Sequence, residues 1–272
     1  QMNLYEGPTE RRYLKNVTAM MFCEELQKFF PVTRVEIVVF PEGRIQNPNN
    51  FYEAPVITGT VPQIIKETLS YLRTFIREYV VKPKNRAESI RYFTYQALEE
   101  AVVNALYHRD YQEREPVEIT IEPDKISILS YSGPDRSVTI EAIRKGELLR
   151  SRRYRNRRLG DFLKELDLTE GRSTGIPTIQ DELRRNGSPK AIIETDPDRT
   201  YFMIDIPCRE GVETTLSIGE RRSNDRVKRQ SNDRVTTELV ILEYCLNARS
   251  RRDILEHLNL KYHSDNYKKY IK

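Results

Sequence analysis

Between residues 94 and 133 the apolar side chains switch from a helical period to strict alternation, and this switch limits the fold more than any bulk property does. In TYQALEEAVVNALYHRDY (94–111), Leu98, Ala101, Val102, Ala105 and Leu106 share one side of a helix, with Thr94 placed as its N-cap. In PVEITIEPDKISILSYSG (116–133), VEITI and KISIL alternate about a Glu-Pro-Asp turn, the pattern of a β-hairpin. Farther on, RRLGDFLKELDL (157–168) and IPTIQDELRRNG (176–187) read as amphipathic helices, the second ended by Gly187, and RTYFMIDIP (199–207) as a strand. Helix, hairpin, helices, strand is the order of a layered α/β sandwich, which we expect over residues 86–210.

Upstream, TRVEIVVF (33–40) reads as a strand and VPQIIKETLSYLRTFIREYVV (61–81) as a helix, so residues 1–85 are expected to form a separate small α/β unit. Gln1 precedes Met2, which suggests a piece of a longer domain. Residues 211–236 carry SNDRV twice and almost no apolar side chains, a composition expected of a tether. From 237 to 272 three short amphipathic segments follow, with Ser250 and Asp253 suggesting a helix start, and this spacing predicts a helix-turn-helix or winged-helix module.

Composition adds exclusions. Cys23, Cys208 and Cys245 are odd in number, widely spaced and in no Cys-x-x-Cys pair, so neither a disulfide framework nor a zinc finger is expected. There is no signal-peptide pattern and no apolar run near the ~18 residues of a membrane span. A reducing, cytoplasmic setting is the expectation. The 272 residues carry a net charge of only +4, so the placement of charge matters more than its sum.

Three polar features invite a functional reading. First, Gln96, Glu100, Asn104 and His108 lie four apart on one face of the 94–108 helix, where they can converge on one object or simply face water. Second, EGRSTGIPTI (170–179) places Gly171 and Gly175 around Arg172, Ser173 and Thr174 just ahead of a helix, an arrangement suited to an anion. Third, Arg150, Arg152, Arg153, Arg155, Arg157 and Arg158 cluster around Tyr154, facing either solvent, phosphates or a nucleic-acid backbone. Lys268, Lys269 and Lys272 fit the last helix of a DNA-binding module. His108-Arg109-Asp110 is not a kinase catalytic loop, because Glu115 stands where that loop needs Asn. No Gly-x-x-x-x-Gly-Lys-Ser/Thr loop exists for a helicase motor.

Taken in order, E-x-x-x-N-A-x-x-H-R-D-Y (100–111), S-Y-S-G-P (130–134), R-N-R-R-L-G (155–160) and E-G-R-x-T-G-I-P (170–177) resemble the RecG-like ATP-binding regulators of bacteria and archaea. Their central domain is similar to the GHKL (Bergerat) ATPases, among them gyrase, the heat-shock-ninety chaperones and histidine kinases. The resemblance covers about residues 86–208. Residues 1–85 look like the back half of the Schlafen AlbA-type DNA-binding domain that precedes it in this group. The resemblance implies an α/β (α+β) Bergerat-like sandwich that binds ATP with Mg²⁺, in a DNA-binding, homodimeric transcription regulator. It implies Glu100 as the water-activating base and Asn104 as the Mg²⁺ ligand. Gly133, Gly171, Arg172, Ser173, Thr174 and Gly175 would lie around the nucleotide, and Arg152, Arg153, Arg155, Lys268 and Lys269 near DNA. Where those ATPases read adenine with the Asp of Asp-x-Gly-x-Gly, this chain has Tyr131-Ser132-Gly133, with Asp135 at the second Gly position. The alternative is a DNA-binding or assembly protein that keeps the ATPase-like domain as a scaffold.

Overall fold

The computed structural model describes residues 4–76, 78–81, 88–145, 153–168 and 175–209, all within a compact unit spanning residues 1–218. The expected linker and helix-turn-helix, and with them Lys268 and Lys269, lie outside the described residues. Along the chain run β1 (Tyr5–Glu6), β2 (Tyr13–Leu14), α1 (Asn16–Phe22), a 3-10 turn (Leu26–Lys28), β3 (Val35–Val39), β4 (Tyr52–Glu53) and α2 (Val61–Arg73). Then come β5 (Glu78–Val81), β6 (Glu88–Arg91), α3 (Tyr95–His108), β7 (Val117–Ile121) and β8 (Lys125–Tyr131). The last are α4 (Ile140–Lys145), α5 (Arg157–Glu165), α6 (Gly175–Asn186), β9 (Ile192–Glu194) and β10 (Tyr201–Pro207).

A mixed six-stranded sheet in the order β4-β3-β7-β8-β10-β9 organises these elements. The β3–β7 pair is parallel and the others are antiparallel. The expected hairpin forms, with Ile121 opposite Ile126 and Ile119 opposite Ile128. One face of the sheet is a continuous apolar layer of Ile37, Ile119, Ile128, Ile204 and Ile193, each aligned with its neighbour in the next strand. Helix α3 packs against β8 and β10 of the sheet and is flanked by α2 and α6. The result is the expected α/β sandwich.

Two details depart from the sequence-based expectations. Helix α2 stops at Arg73 rather than running to residue 81, and Glu78–Val81 instead pairs with Glu88–Arg91 as an antiparallel ribbon. The β-branched pair Val80-Val81 favours a strand, and the apolar spacing alone could not separate the two states. The boundary expected at residue 85 lies outside the described residues, between β5 and β6 in the chain. Moreover, the core runs across it, because β3 lies beside β7 in the sheet and α2 packs on α3. Thr94 does hold the N-cap position of α3, but its buried hydroxyl makes no capping hydrogen bond.

Candidate functional site

Helix α3 ends abruptly at His108, and its last carbonyls would be left without partners unless other groups supplied donors. Four side-chain bonds do so. The Tyr111 hydroxyl donates to Leu106 O at 2.8 Å, and Asn156 Nδ2 donates to both Tyr107 O (2.9 Å) and Arg109 O (2.8 Å). Arg155 Nη1 donates to His108 O at 2.8 Å. The stretch Arg153–Asn156 is therefore a strap across the end of α3, and a cation there also suits the negative end of the helix dipole. Arg155, expected near DNA, spends its guanidinium on this carbonyl and faces Asp110 at 3.9 Å. Arg109 is 1 % exposed and donates to Val32 O (3.3 Å) and Glu115 O (2.9 Å), so its role in the His-Arg-Asp triplet is structural.

Between α3, the apolar face of the sheet, the strap and the start of α6 lies a cavity of about 380 Å³. That volume lies within the range of small-molecule sites. Asn104 and His108 reach it from α3, Gly175 and Ile176 from α6, and Arg153 and Tyr154 from the strap. Ser130, Phe202 and Ile204 form its floor, and Ser132, Gly133 and Asp135 its edge. Of the residues that sequence reasoning nominated, Asn104, Gly133, Gly175, Arg153 and Arg155 thus meet at one cavity. Glu100 is not on its wall: its carboxylate accepts a hydrogen bond from Asn104 Nδ2 at 3.0 Å, one turn back along α3. Gly171, Arg172, Ser173, Thr174 and Arg152 lie outside the described residues.

The glycines at the cavity have separate reasons to be glycine. A Cβ on Gly175 would lie 2.3 Å from Glu100 Oε1 and 2.6 Å from Asn104 Nδ2. Only a bare backbone lets α6 begin directly against this pair. A Cβ on Gly133 would lie 2.8 Å from Arg199 O and Tyr201 O, and Gly133 N donates to Arg199 O at 2.8 Å. Gly133 thus joins the loop after β8 to the start of β10, which is a structural duty at the edge of the cavity.

Tyr131 does not face the cavity. Ile126, Ile128 and Ser130 turn toward the helices, so strand alternation sends Tyr131 to the opposite face. There, burial and the carboxylates of Glu118 and Glu115 push its hydroxyl pKa up. Asp135 is the one carboxylate on the cavity wall among the described residues, and it accepts hydrogen bonds from the Ser137 backbone and hydroxyl. These bonds hold it below the usual carboxylate range. Ser130, Ser132, Tyr154 and Phe202 were not nominated as binding residues. The parity of β8 could have found the serines, because Ile126 and Ile128 define the inner face two and four residues before Ser130.

His108 stacks beside Tyr107, with ring centroids 4.4 Å apart, and Tyr154 lies over Tyr107 at 5.6 Å. Burial, aided by the charge of Arg155, pulls the His108 pKa down from 6.5 to about 4. Between these values the unfolded chain binds a proton that the folded chain refuses, so stability rises with pH through this window. The contribution is complete above pH 6.5 and is lost as pH falls toward 4. It amounts to on the order of 3 kcal/mol. His108→Phe is expected to lose less stability than wild type between pH 7 and pH 4.5, as read from urea midpoints. Equal losses would show that His108 does not titrate this way.

With respect to known proteins, residues 115–204 match the sequence profile of the family described as "Putative ATP-dependent DNA helicase recG C-terminal", an ATPase-like domain family. The match begins after α3, so it covers the hairpin, the strap and α6 but not Glu100 or Asn104. No curated protein matches the chain. The crystal structure of the DIP2311 protein from Corynebacterium diphtheriae, a structural-genomics target, superposes with a TM-score of 0.60 at 15% identity. That superposition covers 96% of this chain and 49% of the other, so the chain spans about half of that protein's length. At this identity the likeness is one of fold. The hairpin, strap and α6 that enclose the cavity are therefore similar to a RecG-related, ATPase-like domain.

Proposed function

We propose that the chain is a nucleotide-binding, DNA-binding regulator whose Mg-nucleotide sits between α3 and the start of α6. One observation carries this reading: Asn104 and the first residue of α6 border the same cavity, and a carboxylate is hydrogen-bonded to Asn104. The N-terminus of a helix attracts phosphate through its free N–H groups and dipole. The donor set fits a magnesium ion held chiefly by nucleotide oxygens and water, because Asn104 Nδ2 is spent on Glu100 and its carbonyl oxygen is left as a hard ligand. No cluster of three His, Cys, Asp or Glu side chains exists among the described residues, so a metal held by the protein alone is not part of the reading. When bound, the ion would neutralise phosphate charge. Glu100, behind Asn104, is the candidate base for any hydrolysis. DNA contact is assigned to residues 237–272 and to Arg152 and Arg153. It predicts affinity that falls steeply with salt.

Titration of Mg-ATP into the full chain, by calorimetry and by melting, tests this. At ~100 times its dissociation constant a ligand stabilises by about 2.7 kcal/mol, a rise of roughly 5–10 °C for a domain of this size. Asn104→Ala is expected to abolish the Mg²⁺ dependence of binding, and Glu100→Ala to spare binding while removing any hydrolysis. The competing reading, an ATPase-like scaffold without a ligand, draws on the lack of an Asp facing the cavity at the Tyr131 position. It predicts no shift with ATP, ADP or GTP, and that result would end the nucleotide proposal.

A further inference from the structure

The walls of the cavity differ along its length. Gly175 abuts Asn104, and on the nucleotide reading this is the phosphate end. His108 lies one turn farther along α3, about 6 Å away at 1.5 Å per residue, and Tyr154 of the strap stands beside it. This second end is aromatic, with Phe202 on the floor opposite Ser130 in the β8–β10 register. A flat heteroaromatic group fits such walls, and rings of this kind stack on any base because every base has a π-face.

The fixed polar groups near that end oppose one another, since Arg153 only donates and Asp135 at the rim only accepts, and the remaining ones have no fixed polarity. The hydroxyls of Ser130 and Ser132 each donate or accept by rotating, and a neutral imidazole offers one donor and one acceptor. An adenine amino group needs an acceptor, whereas a guanine oxygen at the same position needs a donor. A buried carboxylate, which only accepts, would enforce that choice. Sites built around such a fixed group discriminate by orders of magnitude, because the wrong ligand leaves a buried polar atom unpaired. Here Tyr131 occupies that sequence position and turns to the far side of the sheet. Asp135 stands at the exposed rim with its carboxylate bonded to Ser137.

Building on the nucleotide reading above, we infer that the cavity holds a purine by stacking on Tyr154 and by serine hydroxyls, and so accepts adenine and guanine nucleotides alike. Tyr154 is the residue that gives the base its affinity, and the Asn104–Gly175 end binds the phosphates whatever base they carry.

The test is a set of calorimetric titrations of the full chain with Mg-ATP, Mg-GTP and Mg-tripolyphosphate. For wild type, the ATP and GTP dissociation constants are expected to lie within about tenfold of each other, since stacking and rotating hydroxyls do not discriminate. Tyr154→Leu is expected to weaken both nucleotides by about tenfold or more, the scale of one lost stacking contact, and to leave tripolyphosphate unchanged. Tyr154→Phe should restore both. A preference for ATP over GTP of more than tenfold overturns the inference, and this comparison requires no variant. So does unaltered nucleotide binding in a folded Tyr154→Leu protein. If wild type binds neither the nucleotides nor tripolyphosphate, the nucleotide site itself fails and this inference falls with it. Binding of tripolyphosphate with a strong base preference overturns the inference alone.

Discussion

Gly160→Ala is expected to lower the melting temperature of the folded unit by roughly 4–8 °C, the equivalent of about 2 kcal/mol. In the interior of a helix such as α5 this exchange ordinarily stabilises by about 1 kcal/mol. Here the sign reverses because of what the new methyl group meets. A Cβ on Gly160 would lie 2.1 Å from the Tyr107 hydroxyl, 2.3 Å from Cζ and 2.7 Å from Cε2. Tyr107 is buried, with its ring packed against those of both His108 and Tyr154, and its carbonyl is held by Asn156. A ring fixed on these sides cannot step aside, so α5 must back away from α3 and lose packing at Leu159 and Leu163. Overpacking of this kind costs about 1–3 kcal/mol and occasionally more, enough to exceed the gain in helix propensity. Tyr107→Phe combined with Gly160→Ala removes the nearest clashing atom and should recover part of the loss. If Gly160→Ala is as stable as wild type, Tyr107 does not pack against α5 as described.

The same pair of residues shows what a sequence can and cannot disclose. The helices and the hairpin were legible because their evidence is local: Ile119, Ile121, Ile126 and Ile128 alternate about a turn, and α3 repeats apolar side chains every three to four residues. Gly187 was legible as a helix stop, and it does take a positive φ of 71°. The sheet order was not legible. Nothing in VEIVV states that it will lie parallel to VEITI, which follows much later in the chain, and so the unit at 1–85 read as separate. In the sequence Gly160 and Asn156 are only members of a motif, because their partners belong to another helix: a ring on α3 and the carbonyls at its end. Asn104 and Gly175 were nominated together through family resemblance and do meet in space, whereas Glu100 points at Asn104 rather than into the cavity. Tyr131 shows a readable signal passed over. The inward parity of Ile126 and Ile128 already assigns Ser130 to the cavity side and Tyr131 to the other.

Gly175→Ala should show the opposite profile to Gly160→Ala, with a large loss of ligand affinity at little cost in stability. The added methyl would again overlap its neighbours, at 2.3 Å from Glu100 Oε1 and 2.6 Å from Asn104 Nδ2. These atoms, however, end side chains that can rotate, unlike the hemmed-in ring of Tyr107. Rotation breaks the 3.0 Å bond between Asn104 and Glu100 and moves both groups away from the start of α6. The helix itself tolerates alanine well, so a melting shift within about 2 °C is expected. Misplacing the ligand oxygen of Asn104 and the head of α6 together should weaken Mg-ATP binding by about tenfold or more, since one lost charge-assisted contact is worth about 1.5–3 kcal/mol. Titration of Mg-ATP into the variant, with its melting curve measured in parallel, separates the two effects. Unchanged affinity would place the nucleotide away from the Asn104–Gly175 junction. A collapse in stability would mean that the Glu100–Asn104 pair is fixed in place as firmly as Tyr107, and that this end of the cavity is built for packing rather than for exchange with a ligand.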